Sequence, residues 1–419
     1  MGLVYGIDFG TTASAVMIGH PGGDPPVRIR DRGSVSGSFA VPSSVCVLPD
    51  GTPVVGAAAE RAKLSHPDRY FSEFKRDFGV TGPRRLGAVS VRPHDLAAQV
   101  LRYLRELAEE RVPEAPDLVV ITVPAAWEGG NRDLMTRAAA LAGYDPAAVR
   151  LREEPVAAAA YAVAGTGGGT TGPDAGAGGD SRRTLVYDLG GGTFDCALVA
   201  PVTGDPATAV GRVDAGGAVE VLGVPGGLDD VGGGTFDRAI LGELRRRFPE
   251  LAAKLLDGPP ADPDAARRRL TLLDACEELK IQLSVADGHE VYLHEVDPPA
   301  RFGLTRARLA ELIRPLLRET IAECERMLAA LGFGWPDVAR IVPVGGSSRL
   351  PLVGELLARH TGRPVEPVEE PELAVAHGAV LLARELAFPS ARTASAAAHG
   401  QSAPRQYSYH PERSPFERD

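Results

Sequence analysis

Y-G-I-D-F-G-T-T-A-S, residues 5–14, reads as an apolar strand that ends on an acid, turns on a glycine and comes back. Residues 185–195, L-V-Y-D-L-G-G-G-T-F-D, repeat that pattern in the second half of the chain. The residue types suit a phosphate. Glycine lets the backbone turn tightly and approach a ligand closely. Successive N–H groups in such a turn form a nest for anions, and threonine hydroxyls add donors. A strand-end aspartate can hold Mg2+ directly or through water, because Mg2+ favours carboxylates together with several waters. The first hairpin offers Asp8, Gly10, Thr11 and Thr12; the second offers Asp188, Gly190, Gly191, Gly192 and Thr193 and closes on Asp195. Two more glycine turns follow, L-D-D-V-G-G-G-T-F-D at 228–237, with Gly232 and Gly233, and V-G-G-S-S-R-L-P at 344–351. One such turn alone is an ordinary structural turn. Four of them, two with matched acids, argue for a clamp on the phosphates of a nucleotide.

The totals frame that reading. A chain of 419 residues exceeds the span of one core and implies two domains or lobes. A net charge of −10 disfavours non-specific nucleic-acid binding. Cys46, Cys196, Cys276 and Cys324 are scattered and read as reduced core thiols, with neither a disulfide frame nor a zinc pattern. No apolar run approaches the roughly 20 residues of a membrane span. No basic start with an apolar stretch marks a signal peptide. The expectation is a cytoplasmic protein with no membrane partner.

Lysine is scarce. Lys63, Lys75, Lys254 and Lys280 are the four among 45 basic Lys and Arg residues. Where arginine has displaced lysine so widely, a lysine that remains marks either chance or a place for a compact ammonium that a planar fork would not fit.

Strand and helix signals alternate. Strands are expected at 3–7, 13–18, 41–47, 117–123 and 339–344. Helices are expected from Pro93, over 132–142, from Glu154 to about 164, and over 238–248, 265–283, 306–331, 352–360 and 374–386. This is an α/β pattern with helix-covered sheets, and ligands in such folds sit in crevices beyond the strand ends. The halves divide as 1–164 and 182–387, joined by a flexible glycine-rich loop at 165–181 and followed by a disordered tail at 388–419.

As an ordered set these segments resemble the 70-kDa heat-shock protein (DnaK-type) family. The resemblance rests on G-I-D-F-G-T-T-A-S, Y-D-L-G-G-G-T-F-D and V-P-V-G-G-S-S-R-L-P. Between them stand F-K-R-D-F-G at 74–79, I-T-V-P-A-A-W at 121–127, R-A-A-A-L-A-G-Y at 137–144, R-L-R-E-E-P-V-A-A-A-A-Y at 150–161 and A-C-E-E-L-K-I-Q-L-S at 275–284. It implies an actin-like ATPase fold with ATP or ADP and Mg2+ between two lobes, one hairpin from each. It implies slow ATP hydrolysis, with chaperone-related work and a protein partner or cochaperone. Thr11 and Thr12 would contact phosphates, and Asp8 and Asp188 would surround the metal and its waters. Lys75 matches the lysine near the γ-phosphate and attacking water, with Glu154 and Thr193 close by. Glu277, Lys280 and Ser284, spaced along one helix face, match the adenosine-binding face of a subdomain at about 233–305. The same three also fit a solvated helix flank. Gly345, Gly346, Ser347 and Arg349 match the turn that holds the adenosine from the other side, where the Arg349 guanidinium could stack on the base.

Departures from the family pattern are local. Gly234 and Thr235 stand where acids are usual, Glu372 where aspartate is common, and the stretch between Lys75 and Ile121 is short. The expectation is a nucleotide-binding unit with no peptide-binding domain. A nucleotide-gated module without hydrolysis, an actin-like filament protein and a small-molecule kinase of the same superfamily are the rival readings.

Overall fold

The computed structural model describes residues 2–79, 82–164, 183–201, 212–214, 219–258, 260, 262–294 and 299–388. The expected loop at 165–181 and nearly all of the expected tail lie outside the described residues.

Two mixed sheets carry the two hairpins, and both are built the same way. In the first, strand Val4–Asp8 pairs antiparallel with Ala13–Gly19 and parallel with Leu118–Val123, which is followed outward by Val149–Glu153. In the second, Thr184–Leu189 pairs antiparallel with Phe194–Pro201 and parallel with Arg340–Val344. Each acid-bearing strand therefore lies between its own hairpin partner and a parallel neighbour. Such strands are covered on both faces, which explains their near-continuous apolar runs. Every residue of Leu118–Val123 and Thr184–Leu189 is buried. This is the two-lobed actin-like ATPase arrangement.

Each sheet has its own outer core. Behind the first sheet, helix Pro93–Arg111 contributes Leu96, Val100, Leu101 and Leu104. Behind the second, helices Pro263–Val285 and Arg306–Ala330 contribute Leu272, Leu279, Ile313 and Leu317. All four cysteines are buried and free. Among the described residues no helix is long and apolar enough to cross a membrane.

A third core joins the halves, and here the structure departs from the simple division of the chain. Helix Glu154–Ala164, assigned above to the first half, packs on the second sheet. Helix Ala374–Ala387, assigned to the second half, returns to pack on the first. The two cross each other between the sheets, sealed by Ala157, Ala158, Ala159, Ala376, Ala379 and Val380 against Val4, Val120, Val186 and Val344. Sequence periodicity finds an amphipathic helix but does not say which sheet its apolar face will choose.

The strand expected at 41–47 is likewise broken, into Val41–Pro42 and Ser44–Val47. Ser43 interrupts it by donating its N–H to Thr12 O at 2.8 Å and its hydroxyl to Gly10 O at 2.7 Å. The break braces the first glycine turn.

The crossing works because the helices nearly touch. A Cβ at Gly378 would lie 1.7 Å from the Ala157 carbonyl oxygen. Gly378→Ala is expected to destabilise by about 3 kcal/mol or more, since overpacking against backbone has no cheap relaxation. Gly242→Ala, in helix Gly233–Arg247 with open space around it, is expected to stabilise by about 0.5–1 kcal/mol. Urea denaturation of the two variants checks both signs.

Candidate functional site

The two hairpin turns meet across a cleft of about 290 Å3. Asp8, Gly10, Thr11 and Thr12 line it from one side, and Asp188, Gly190, Gly191, Gly192 and Thr193 from the other. The approach is close. A Cβ on Gly191 would fall 2.1 Å from Thr12 Oγ1, and one on Gly192 would fall 2.4 Å from Thr11 Oγ1. Glycine at these two positions is what lets the threonines of one half enter the turn of the other.

The remaining candidates divide between lining and support. Lys75, Glu154, Glu277, Lys280, Ser284, Gly345, Gly346, Ser347 and Arg349 line the same cleft. Gly232 and Gly233 do not. They sit behind the second turn, where Gly233 N donates to Gly190 O at 3.0 Å and Gly234 N to Gly191 O at 2.8 Å. Ser347 Oγ donates to the same Gly190 O at 2.8 Å, tying the 344–351 turn to the second hairpin. The third glycine turn thus braces the second.

At the deep end, one ammonium faces a group of acids. Lys75 Nζ donates to Glu154 Oε1 and to Phe9 O, each at 2.5 Å. Lys75, Glu154, Asp188 and Asp195 are almost fully buried. Thr122 Oγ1 donates to Asp8 Oδ1 at 3.3 Å, and Ala125 N donates to Asp195 Oδ1 at 3.2 Å. Burial and the Glu154 charge push Asp8 up to about 7 and Asp195 up to about 8. Asp188 is raised well above the usual carboxylate range by burial and then by Glu154, Asp195 and Asp8. One lysine does not balance these acids, so the group has capacity for a cation. No three His, Cys, Asp or Glu among the described residues are placed to grip a metal directly. The acids fit a hydrated ion held through its waters, the manner suited to Mg2+.

The outer part of the cleft is polar and paired. Lys280 Nζ meets Asp237 Oδ2 at 2.6 Å; burial raises that aspartate to about 6 against the pull of the lysine. Ser284 Oγ donates to Ile281 O at 2.6 Å. The Arg349 guanidinium is held by Glu372 at 2.8 Å, which fixes its plane at the cleft wall. Between the halves, Lys63 bridges Glu60 at 2.8 Å and Asp274, on helix Pro263–Val285, at 2.7 Å.

Several residues of the site have no role in the sequence reading. Asp195 ends the second motif and stands directly opposite Asp188 in the hairpin register; the alternation of the strands held that signal. Thr122 lies in I-T-V-P, one residue short of the strand end. Asp237 closes the third glycine turn as Asp195 closes the second. Glu73 had no signal at all. It is the one described non-glycine residue with a positive φ, 56°. Its Oε1 lies 2.7 Å from where a Cβ on Gly234 would stand.

A family model described as Hsp70 protein matches residues 83–390. The chain is 30% identical over 388 residues to a chaperone protein DnaK of Methanothermobacter thermautotrophicus, covering 90% of this chain and 59% of that protein. It is 31% identical over 413 residues to a chaperone protein DnaK of Stenotrophomonas maltophilia, covering 91% of this chain and again 59% of that protein. The chain therefore spans less than two thirds of the length of these relatives.

The raised acids have a consequence for the ligand-free protein. Asp8 and Asp195 bind protons more tightly folded than unfolded, so their contribution is full below the unfolded value of about 4. It is lost as pH rises to their folded values of about 7 and 8. Stability without ligand is expected to fall between pH 5 and pH 8. Asp195→Asn, which cannot ionise, is expected to flatten that slope in urea titrations at the two pH values.

Proposed function

Because the chain belongs to the Hsp70 family, we propose that it binds ATP with Mg2+ in this cleft and hydrolyses the γ-phosphate slowly. The observation that carries the reading is the meeting of the two glycine–threonine turns over a group of buried acids with a single lysine. The N–H groups of Gly191 and Gly192 and the hydroxyls of Thr11 and Thr12 cradle the phosphates, while the Gly190 N–H closes the hairpin on Thr193 O at 3.1 Å. Asp8 and Asp188 hold Mg2+ through its waters, and the bound ion supplies neutralising charge for the phosphates. Glu277, Lys280, Ser284 and the 344–351 turn hold the nucleoside from its two sides.

Phosphoryl transfer to water asks the protein for position and charge more than for covalent chemistry. Lys75 answers both requirements. Its ammonium is fixed by Phe9 O and Glu154, so it needs little reorganisation when charge develops on the γ-phosphoryl group. Glu154 and Thr193 orient the attacking water. Closure of the two halves on the nucleotide is the output, read by a protein partner. The proposal covers the nucleotide half of a chaperone cycle.

Two measurements test it. Lys75→Ala is expected to bind ATP while hydrolysis falls about 100-fold or more, the scale of losing a preorganised charge-stabilising donor. Single-turnover phosphate release equal to wild type would remove Lys75 from the mechanism. Wild-type binding with no release would instead make the protein a gated module. Binding of Mg2+ with ATP near pH 7 is also expected to release protons, because a cation displaces them from Asp8 and Asp195. Calorimetry in buffers of different ionisation enthalpy reads that number, and Asp195→Asn is expected to lower it.

A further inference from the structure

Where Val27–Arg28 pairs with strand Ala13–Gly19 of the first sheet, the chain alternates from Arg28 to Arg32. Ile29 and Asp31 are buried, whereas Arg28, Arg30 and Arg32 are exposed. The guanidiniums of Arg28 and Arg30 lie 4.6 and 5.1 Å from the ring centroid of Phe39. With Arg111, Leu107 and Glu110 these residues line a hollow of about 540 Å3. Arg32 also borders a second hollow of about 500 Å3, lined by Arg61, Arg102, Tyr103 and Glu106. Six arginines and two glutamates thus line two hollows that share Arg32, in a chain whose net charge is −10; the two together are called the groove.

The pairing inside the groove is incomplete. Arg28 pairs with Glu370 and Arg32 with Glu110. Arg61 and Arg102 donate to carbonyls, Gly33 O at 2.6 Å and Leu141 O at 2.7 Å, which offer no opposite charge. Among the described residues no carboxylate pairs with Arg30 or Arg111. Clustered guanidiniums repel one another, and their planar forks take carboxylates two bonds at a time. The groove is complementary to a row of carboxylates spaced along an extended chain.

We propose that this groove docks an acidic, extended segment of a partner protein. Nucleic acid fits less well. Arg28 and Arg30 already occupy Phe39, the ring a base would stack on. A membrane fits less well because the arginines line hollows, out of reach of a plane of headgroups. The proposal stands apart from the nucleotide reading, since none of the six arginines lines the cleft.

The test uses the full chain and a fluorescein-labelled peptide with glutamate or aspartate at every second position, followed by anisotropy. Saturable binding that weakens as salt rises from about 0.05 to 0.3 M is expected. Arg30→Glu and Arg111→Glu are each expected to weaken it about ten-fold, and Arg30→Gln less. Arg359→Glu, on the distant helix Pro351–Thr361, is expected to leave it unchanged. Thermal melting confirms that each variant is folded; the altered arginines are exposed, and Arg30→Gln adds no new charge should a reversal disturb the fold. Absence of saturable binding overturns the proposal, as does equal loss in Arg359→Glu. Tighter binding of an oligothymidylate or of phosphatidylserine vesicles, lost in the same variants, also overturns it and gives the surface to that other class.

Discussion

Much of this molecule follows from burying several acids around one ammonium. Lys75 holds Glu154 and the Phe9 carbonyl, while Asp8, Asp188 and Asp195 crowd the same space. Such a group is unfavourable by itself, because desolvation penalises each charge and the charges repel. It persists only where the surrounding scaffold is rigid enough to hold it and where a bound cation is part of the working state. In the Hsp70 fold that scaffold consists of two strands, each fixed between an antiparallel and a parallel neighbour, each delivering an aspartate to the same point.

The middle layer keeps the two deliveries in register. Small residues let helices Glu154–Ala164 and Ala374–Ala387 cross at near contact between the sheets. The first of these helices begins at Glu154 itself, so the residue that fixes Lys75 belongs to an element packed on the opposite sheet. Lys75 arrives from the first half and its partner from the layer between. The lysine is therefore positioned by the first hairpin and by the start of a middle-layer helix that follows directly on strand Val149–Glu153.

Much of this was legible in the sequence because the informative signals are local. A strand, an acid and a glycine turn can be read within ten residues, and doing so twice already implies two facing hairpins. The scarcity of lysine marked four positions, and the two that fall inside motifs, Lys75 and Lys280, each form a close ion pair in the cleft. What stayed hidden is long-range. Nothing in residues 374–387 says that their helix returns to the first sheet, since its apolar face suits either one. Gly232 and Gly233 carry the same composition as the cleft-lining glycines 190–192 and differ only in which side of a turn they occupy. Ser43 breaks a strand whose propensity is good, because two hydrogen bonds to the glycine turn outweigh continued pairing.

The clearest case of hidden logic is the acid missing after Gly233. Sequence comparison with the family pattern finds Gly234 and Thr235 there and registers a loss. In space, the Glu73 carboxylate fills the room that Gly234 leaves open. Glu73 holds a left-handed backbone to do so, a conformation that costs a residue with a Cβ. Arg76, in the same turn, donates to Gly192 O at 3.3 Å and pairs with Glu73 at 3.7 Å. The turn that carries Lys75 is thereby fastened to the second hairpin by the residues on either side of the lysine. A negative charge has a place at this junction whichever half supplies it. The constraint acts on the junction rather than on one position in the chain, which is why the residue list and the three-dimensional site disagree at Gly234 while the electrostatics agree.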